Sequence, residues 1–143
     1  PVGIFSRKQL KRLDFETITI LYGGNGSGKT TLLNIMAEKL GVFRRKEYLQ
    51  TKLFSFYLQG CRSQPENSMS PRFQVELRQL IEDSVRFKKC QFVIETHSPL
   101  LLSLNNAKIY NLDASPVTVE KWHDLENVRF FYDFFKRNEK AFE

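Results

Sequence analysis

The chain has 143 residues, 41% of them hydrophobic, which suits one domain with a buried core. No apolar run approaches the roughly 20 residues of a membrane-spanning helix, and no secretory signal pattern opens the sequence. These two observations argue against a membrane-spanning or secreted protein. Cys61 and Cys90 stand alone, without metal-ligand spacing, which is typical of a reduced setting and predicts a cytoplasmic protein.

The formal net charge is +6, and part of it lies in basic groups at Arg7-Lys8, Lys11-Arg12 and Arg44-Arg45-Lys46. Such groups are able to contact nucleic acid, but a dispersed basic surface is also common in proteins that bind none. The charge therefore leaves nucleic-acid binding open.

The first predicted element is a strand, Ile18–Tyr22, a β-branched and aromatic run that ends at Gly23. A helix is predicted from Thr30 to Leu40, with apolar residues at mostly helical spacing and Gly41 as its stop. Between strand and helix the sequence reads GGNGSGKT, which matches the phosphate-loop pattern G-x-x-x-x-G-K-[ST].

This loop predicts a binding site for a nucleoside triphosphate. Its glycines allow successive backbone N–H groups to turn toward phosphate oxygens, and the dipole of the following helix adds to the attraction. Lys29 is expected to reach the β- and γ-phosphates, and the Thr30 hydroxyl is expected to ligate Mg²⁺. The predicted binding residues are Asn25, Gly26, Ser27, Gly28, Lys29, Thr30 and Thr31.

A second group of polar residues follows a predicted strand in the C-terminal half. Ser70 and Pro71 have the pattern of a helix N-cap and first residue, and the helix is predicted to run to about Lys89. The next strand, Gln91–Ile94, leads into Glu95-Thr96-His97-Ser98-Pro99.

Open α/β sheets bind ligands at the carboxyl ends of their strands, so His97 is predicted to contact the γ-phosphate or the attacking water. The alternative is a histidine that only caps the short apolar turn after it. Glu95 is either a polar strand end or a direct participant in the site. His123, in a polar segment, is predicted to be structural or exposed.

Together these motifs resemble the ABC-type ATPases. The likeness lies in Asn25–Thr31, which resembles the phosphate loop, in Pro65–Pro71, which resembles the D-loop, and in Thr96–Leu100, which resembles the switch-histidine segment. The closest similarity is to stand-alone bacterial ATPases of the AAA class, relatives of recombination and chromosome-maintenance ATPases. The tail, including Ala107–Asp113 and Leu125–Val128, is also similar to that group.

The resemblance implies a P-loop NTPase fold, α/β with a mainly parallel sheet flanked by helices, as one domain over residues 1–143. It implies ATP and Mg²⁺ as ligands, ATP hydrolysis by the complete protein, and a homodimer or a partner ATPase subunit. A parallel sheet with helical crossovers would bring the strand ends at Tyr22 and Glu95 to one shared site.

The sequence departs from the family where the acidic pair that holds Mg²⁺ and polarises water should stand. Those positions hold Ser63 and Gln64; Ser63 has no carboxylate, and Gln64 orients a water but accepts no proton. The Ser-Gly-Gly or Ser-x-Gly-Glu signature, which members of the family insert into the ATP site of a partner subunit, is also missing between the phosphate loop and the D-loop. The family's metal-sensing glutamine has two candidates here, Gln50 and Gln59, and no context selects one.

The interval from 41 to 65 is also too short for the family's helical subdomain, which predicts a deletion or a missing insertion there. Three explanations stay open: a degenerate paralogue, a truncation, or joined segments of a longer protein, for which the start at Pro1 rather than Met also argues. Three function classes are therefore considered: an ATPase subunit, a nucleotide-binding switch that does not hydrolyse ATP, and a P-loop kinase. The D-loop and the histidine segment argue against the kinase.

Overall fold

The computed structural model describes residues 9, 10, 12–39 and 70–143. The predicted break or deletion within 41–65 lies outside these residues. So do the predicted catalytic residue Gln64, its neighbour Ser63, and the two candidate metal-sensing glutamines, Gln50 and Gln59.

The described chain is a small α/β domain. Its strands are β1 (Ile18–Tyr22), β2 (Phe92–Glu95), β3 (Lys108–Asn111) and β4 (Thr118–Glu120). Its α-helices are α1 (Lys29–Lys39), α2 (Pro71–Lys88), α3 (Pro99–Leu102) and α4 (Glu126–Arg137). Two 3₁₀ turns, Trp122–Asp124 and Glu139–Ala141, precede and follow α4.

The four strands form one sheet in the order β2-β1-β3-β4. Strand β1 pairs in parallel with both β2 and β3, and β4 pairs antiparallel with β3. Leu21 of β1 lies opposite Glu95 on one side and Tyr110 on the other. The predicted mainly parallel α/β sheet is therefore confirmed, and the carboxyl ends of β1, β2 and β3 lie at one edge.

All five residues of β1 are buried, because the sheet is covered on both faces. Ile20 and Tyr22 face a core with residues of α2, α3 and α4, namely Ile81, Leu102 and Val128. Leu21 faces the opposite way and packs with Leu32 of α1. The alternation of side chains along one strand thus fixes α1 on one face and the other helices on the second.

Helix α2 begins as the sequence predicts. The Ser70 hydroxyl accepts a hydrogen bond from the backbone N–H of Phe73 at 3.3 Å, and Pro71 is the first helical residue. The helix ends at Lys88, where Lys89 adopts the left-handed conformation with φ of 52°. Strand β2 starts one residue later than predicted and includes Glu95, because Glu95 continues the pairing with Leu21.

Helix α4 contacts the domain through a narrow stripe that includes the buried Val128. Its remaining surface is unusually aromatic, with the exposed side chains Phe130, Phe131, Tyr132, Phe134 and Phe135. Even so, none of the helices within the described ranges combines the length and the apolar character needed to cross a membrane.

Candidate functional site

Three parallel strands deliver three polar segments to the same edge of the sheet. Strand β1 runs into the glycine loop, β2 runs into Thr96 and His97, and β3 is followed within two residues by Asp113. Parallel pairing forces these segments together, since all three strands point the same way. The candidate site is this edge.

The glycine loop has a shape that side chains would disturb. A Cβ atom on Gly23 would lie 2.6 Å from the Ser27 hydroxyl oxygen and 2.8 Å from the Ser27 Cβ. Gly26 has φ of 80°, a left-handed conformation that residues with a side chain rarely adopt. The loop therefore folds tightly over Ser27, whose side chain is buried.

Helix α1 starts directly from this loop without a capping side chain. The carbonyl of Gly28 accepts the first helical hydrogen bond, from Leu32 N–H at 2.9 Å, and glycine has no side chain to bond to the first-turn amides. No acidic residue stands in that turn. The N-terminal end of α1 thus presents its backbone N–H groups and its positive dipole end to the sheet edge.

The Lys29 side chain folds back into the loop. Its ammonium donates hydrogen bonds to the carbonyl oxygens of Gly23 at 2.6 Å and Gly24 at 2.7 Å, and lies 3.4 Å from the Ser27 hydroxyl. Only 8% of the residue is exposed. A buried positive charge therefore sits at the centre of the loop, held by neutral oxygen atoms.

The hydroxyl of Thr30 points at strand β2. It donates a hydrogen bond to a carboxylate oxygen of Glu95, with 2.8 Å between Oγ1 and Oε1. The two residues are 65 positions apart in sequence. This contact places Glu95, the last residue of β2, beside the hydroxyl for which the sequence predicts a metal.

A second carboxylate lies on the other side of the loop. Both oxygens of Asp113 accept from the backbone N–H of Gly24, at 3.1 and 2.8 Å. Asp113 N–H in turn donates to the Asn111 side-chain oxygen at 3.0 Å. Asp113 therefore ties the start of the glycine loop to the end of β3.

The segment after β2 is held by the other helices. The Asn127 side chain, at the start of α4, donates to the backbone carbonyl of His97 at 2.5 Å, and the Ser98 hydroxyl contacts the buried Gln74 of α2. The His97 imidazole itself is exposed.

Tyr22, the last residue of β1, lies below this segment, and its hydroxyl oxygen is 3.5 Å from the Asn127 backbone nitrogen. Burial raises the pKa of Tyr22 above its usual value, although the contact with the Asn127 backbone opposes the shift. The hydroxyl therefore stays neutral through the physiological range, so it adds no charge to the edge.

The structure thus brings the predicted loop residues and the His97 segment to one edge. Lys29 and Thr30 make the contacts described above, and the His97 segment lies beyond the end of the strand that carries Glu95. Asp113 and Asn127 lie in the tail segments that the sequence relates to the family, but no local pattern gave either residue a role in the site. In the part of the chain with described coordinates, no three His, Cys, Asp or Glu side chains form a metal cluster.

Comparison with protein families, with curated proteins and with solved structures gave no match to this chain. The phosphate loop, the His97 segment and Asp113 follow the carboxyl ends of three strands that pair in parallel.

Asn127→Ala is expected to loosen the His97 segment, because the carbonyl of His97 loses its side-chain donor. A hydrogen bond of this kind contributes about 0.5–1.5 kcal/mol, so urea unfolding should show a loss of that size. Hydrogen exchange at His97 and Ser98 should also become faster. Asn105→Ala is the control, since Asn105 is exposed and bonds to Glu82 through its backbone amide. Equal exchange rates in the wild type and Asn127→Ala would contradict the prediction.

Proposed function

We propose that this chain binds ATP together with Mg²⁺ in a P-loop NTPase fold of the ABC-type ATPase class. The observation that carries the proposal is the Lys29 ammonium, enclosed by the loop at the edge where β1, β2 and β3 end. The hydrogen-bond partners of this buried ammonium are all neutral oxygens, and the two carboxylates at the edge, Glu95 and Asp113, bond to other groups. The ammonium is therefore left to pair with the negative charge of a triphosphate.

The contacts of Lys29 suit an exchange of partners. The ammonium has three donors, and the structure directs them at two carbonyls and a hydroxyl, all of which are oxygen acceptors like those of a phosphate. An anionic phosphate oxygen adds direct charge attraction to a hydrogen bond from an ammonium, which a neutral carbonyl oxygen does not supply. Binding of the β- and γ-phosphates would therefore repay the loss of the two loop carbonyls.

The His97 segment supports the assignment of the γ-phosphate end. It follows the strand beside β1, and the exposed imidazole is open to a ligand at this edge. In the ABC-type ATPases that the sequence resembles, a histidine in this segment senses the terminal phosphate. We assign that role to His97, with its backbone held by Asn127.

Turnover is a separate question from binding. The two carboxylates at the edge, Glu95 and Asp113, accept hydrogen bonds from Thr30 and Gly24, and the family's catalytic acids are replaced by Ser63 and Gln64. We therefore assign neither of these two described carboxylates as the general base for water. We infer that this chain alone binds ATP and hydrolyses it very slowly. Hydrolysis is expected of a complete protein that acts as a homodimer or with a partner ATPase subunit.

Lys29→Ala should weaken binding of Mg·ATP by roughly 10- to 100-fold, the loss expected for charge-assisted hydrogen bonds of about 1.5–3 kcal/mol. Isothermal titration calorimetry measures the affinity directly. Lys39→Ala is the matched control, because Lys39 lies exposed in the last turn of the same helix. Equal affinities of wild type and Lys29→Ala would show that the loop is not the site.

Because Lys29 also holds the loop carbonyls, each variant needs a folding control. Far-UV circular dichroism and a thermal melt separate loss of binding from loss of structure. Weak binding by a folded Lys29→Ala variant with normal binding by Lys39→Ala is the expected pattern.

Phosphate release by the chain alone should be very slow, because the general base and the trans-acting signature are both absent from the sequence. The double variant Ser63→Asp/Gln64→Glu should not restore full turnover, since the signature is still missing. A phosphate-release assay with purified protein decides this. Rapid hydrolysis by the unaltered chain would refute the inference, and phosphate transfer to a small acceptor would identify a kinase instead.

A further inference from the structure

Glu95 holds a position that its sequence motif does not explain. It is the last residue of β2, it lies opposite Leu21 of β1, and it is half-buried beside the glycine loop. Its carboxylate accepts the hydrogen bond of Thr30 at 2.8 Å. The hydrogen bond therefore joins the end of β2 to the first turn of α1.

The direction of this hydrogen bond matters for metal binding. A threonine hydroxyl has one proton and two lone pairs. Because the proton of Thr30 is directed to Glu95, the lone pairs are left to coordinate a cation. The Thr30 hydroxyl is thus oriented as a metal ligand by a neighbouring anion.

The residues at this edge suit Mg²⁺ rather than a cation caged entirely by protein. In the described ranges no three His, Cys, Asp or Glu side chains come together, so the side chains described at this edge do not form a complete ligand shell. Mg²⁺ in nucleotide sites takes one or two carboxylates and fills its octahedron with phosphate oxygens and water. A hydroxyl and one carboxylate fit that mode.

The choice among the nearby acids also favours Glu95. Asp113, the other carboxylate at the loop, has both oxygens on the Gly24 amide. The positions where the family supplies its metal-binding acid hold Ser63 and Gln64, which offer no carboxylate. Of the acids within the described ranges, Glu95 is the one that contacts Thr30.

We propose that Glu95 supplies the carboxylate for the Mg²⁺ of the bound nucleotide, in place of the acid missing at Ser63. This rests on the proposed function. Glu95 and Thr30 hold the cation from the protein side, and Mg²⁺ screens the glutamate from the phosphates. Without metal, the same carboxylate repels the triphosphate.

Glu95→Gln tests this assignment, because glutamine keeps the size and the hydrogen-bond acceptor but removes the charge. ATP affinity is measured by calorimetry in EDTA and in MgCl₂, and Mn²⁺ binding to the protein with ATP is followed from the free-ion electron paramagnetic resonance signal. In Glu95→Gln the gain in ATP affinity from Mg²⁺ should fall by about 10-fold or more, with weaker Mn²⁺ binding. Affinity in EDTA should stay equal or rise.

Glu76→Gln is the matched control. Glu76 is an exposed glutamate of α2 whose carboxylate accepts a hydrogen bond from Arg72 at 3.3 Å, away from the glycine loop. It should keep the full effect of Mg²⁺. Thr30→Val should lose that effect while Thr30→Ser keeps it, which guards against misfolding of Glu95→Gln.

The outcomes separate this proposal from the one it rests on. An unchanged Mg²⁺ effect in folded Glu95→Gln would overturn the role of Glu95 and leave ATP binding intact. Equal ATP affinity of the wild type with and without metal would overturn the role of Glu95 together with the Mg²⁺ part of the proposed function, and would leave ATP binding intact. No ATP binding by the wild type, with or without metal, would overturn both.

Discussion

The parallel pairing of β1 with β2 and β3 is the constraint on which the candidate site depends. It brings three chain segments, far apart in sequence, to the same edge in the same direction. Burial of every β1 residue makes this pairing costly to disrupt, since a slip by one residue would exchange Leu21 with Ile20 between the two cores. The register that packs the interior therefore also sets the contacts of the glycine loop.

The charges at the edge follow from that register. The Lys29 ammonium is enclosed by neutral oxygens, while the two nearby carboxylates are held on the Thr30 hydroxyl and the Gly24 amide. In the proposed complex, the Mg²⁺ that accompanies the triphosphate would offset these two carboxylates while the ammonium contacts the phosphates.

Local sequence patterns predicted the elements better than the contacts between them. Strand β1 and the Ser70-Pro71 start of α2 were predicted correctly, because burial and capping act over a few residues. The contact between Thr30 and Glu95 spans 65 positions, and that between Gly24 and Asp113 spans 89, so no local motif reveals them. Lys29 was predicted from its motif, but its bonds to the loop carbonyls depend on the folded backbone. The parts of the site expected at Ser63 and Gln64 lie outside the described residues and stay predictions.

The most direct test of the shared edge is a nuclear magnetic resonance titration of the ¹⁵N-labelled chain with Mg·ATP. The amides of 24–31, of His97 and of Asp113 should shift together along one saturating binding curve, because one ligand contacts segments that follow three strands. Amides of the exposed part of α4 should not change. Shifts confined to α4, or separate binding curves for the loop and for His97, would contradict a single triphosphate site at this edge.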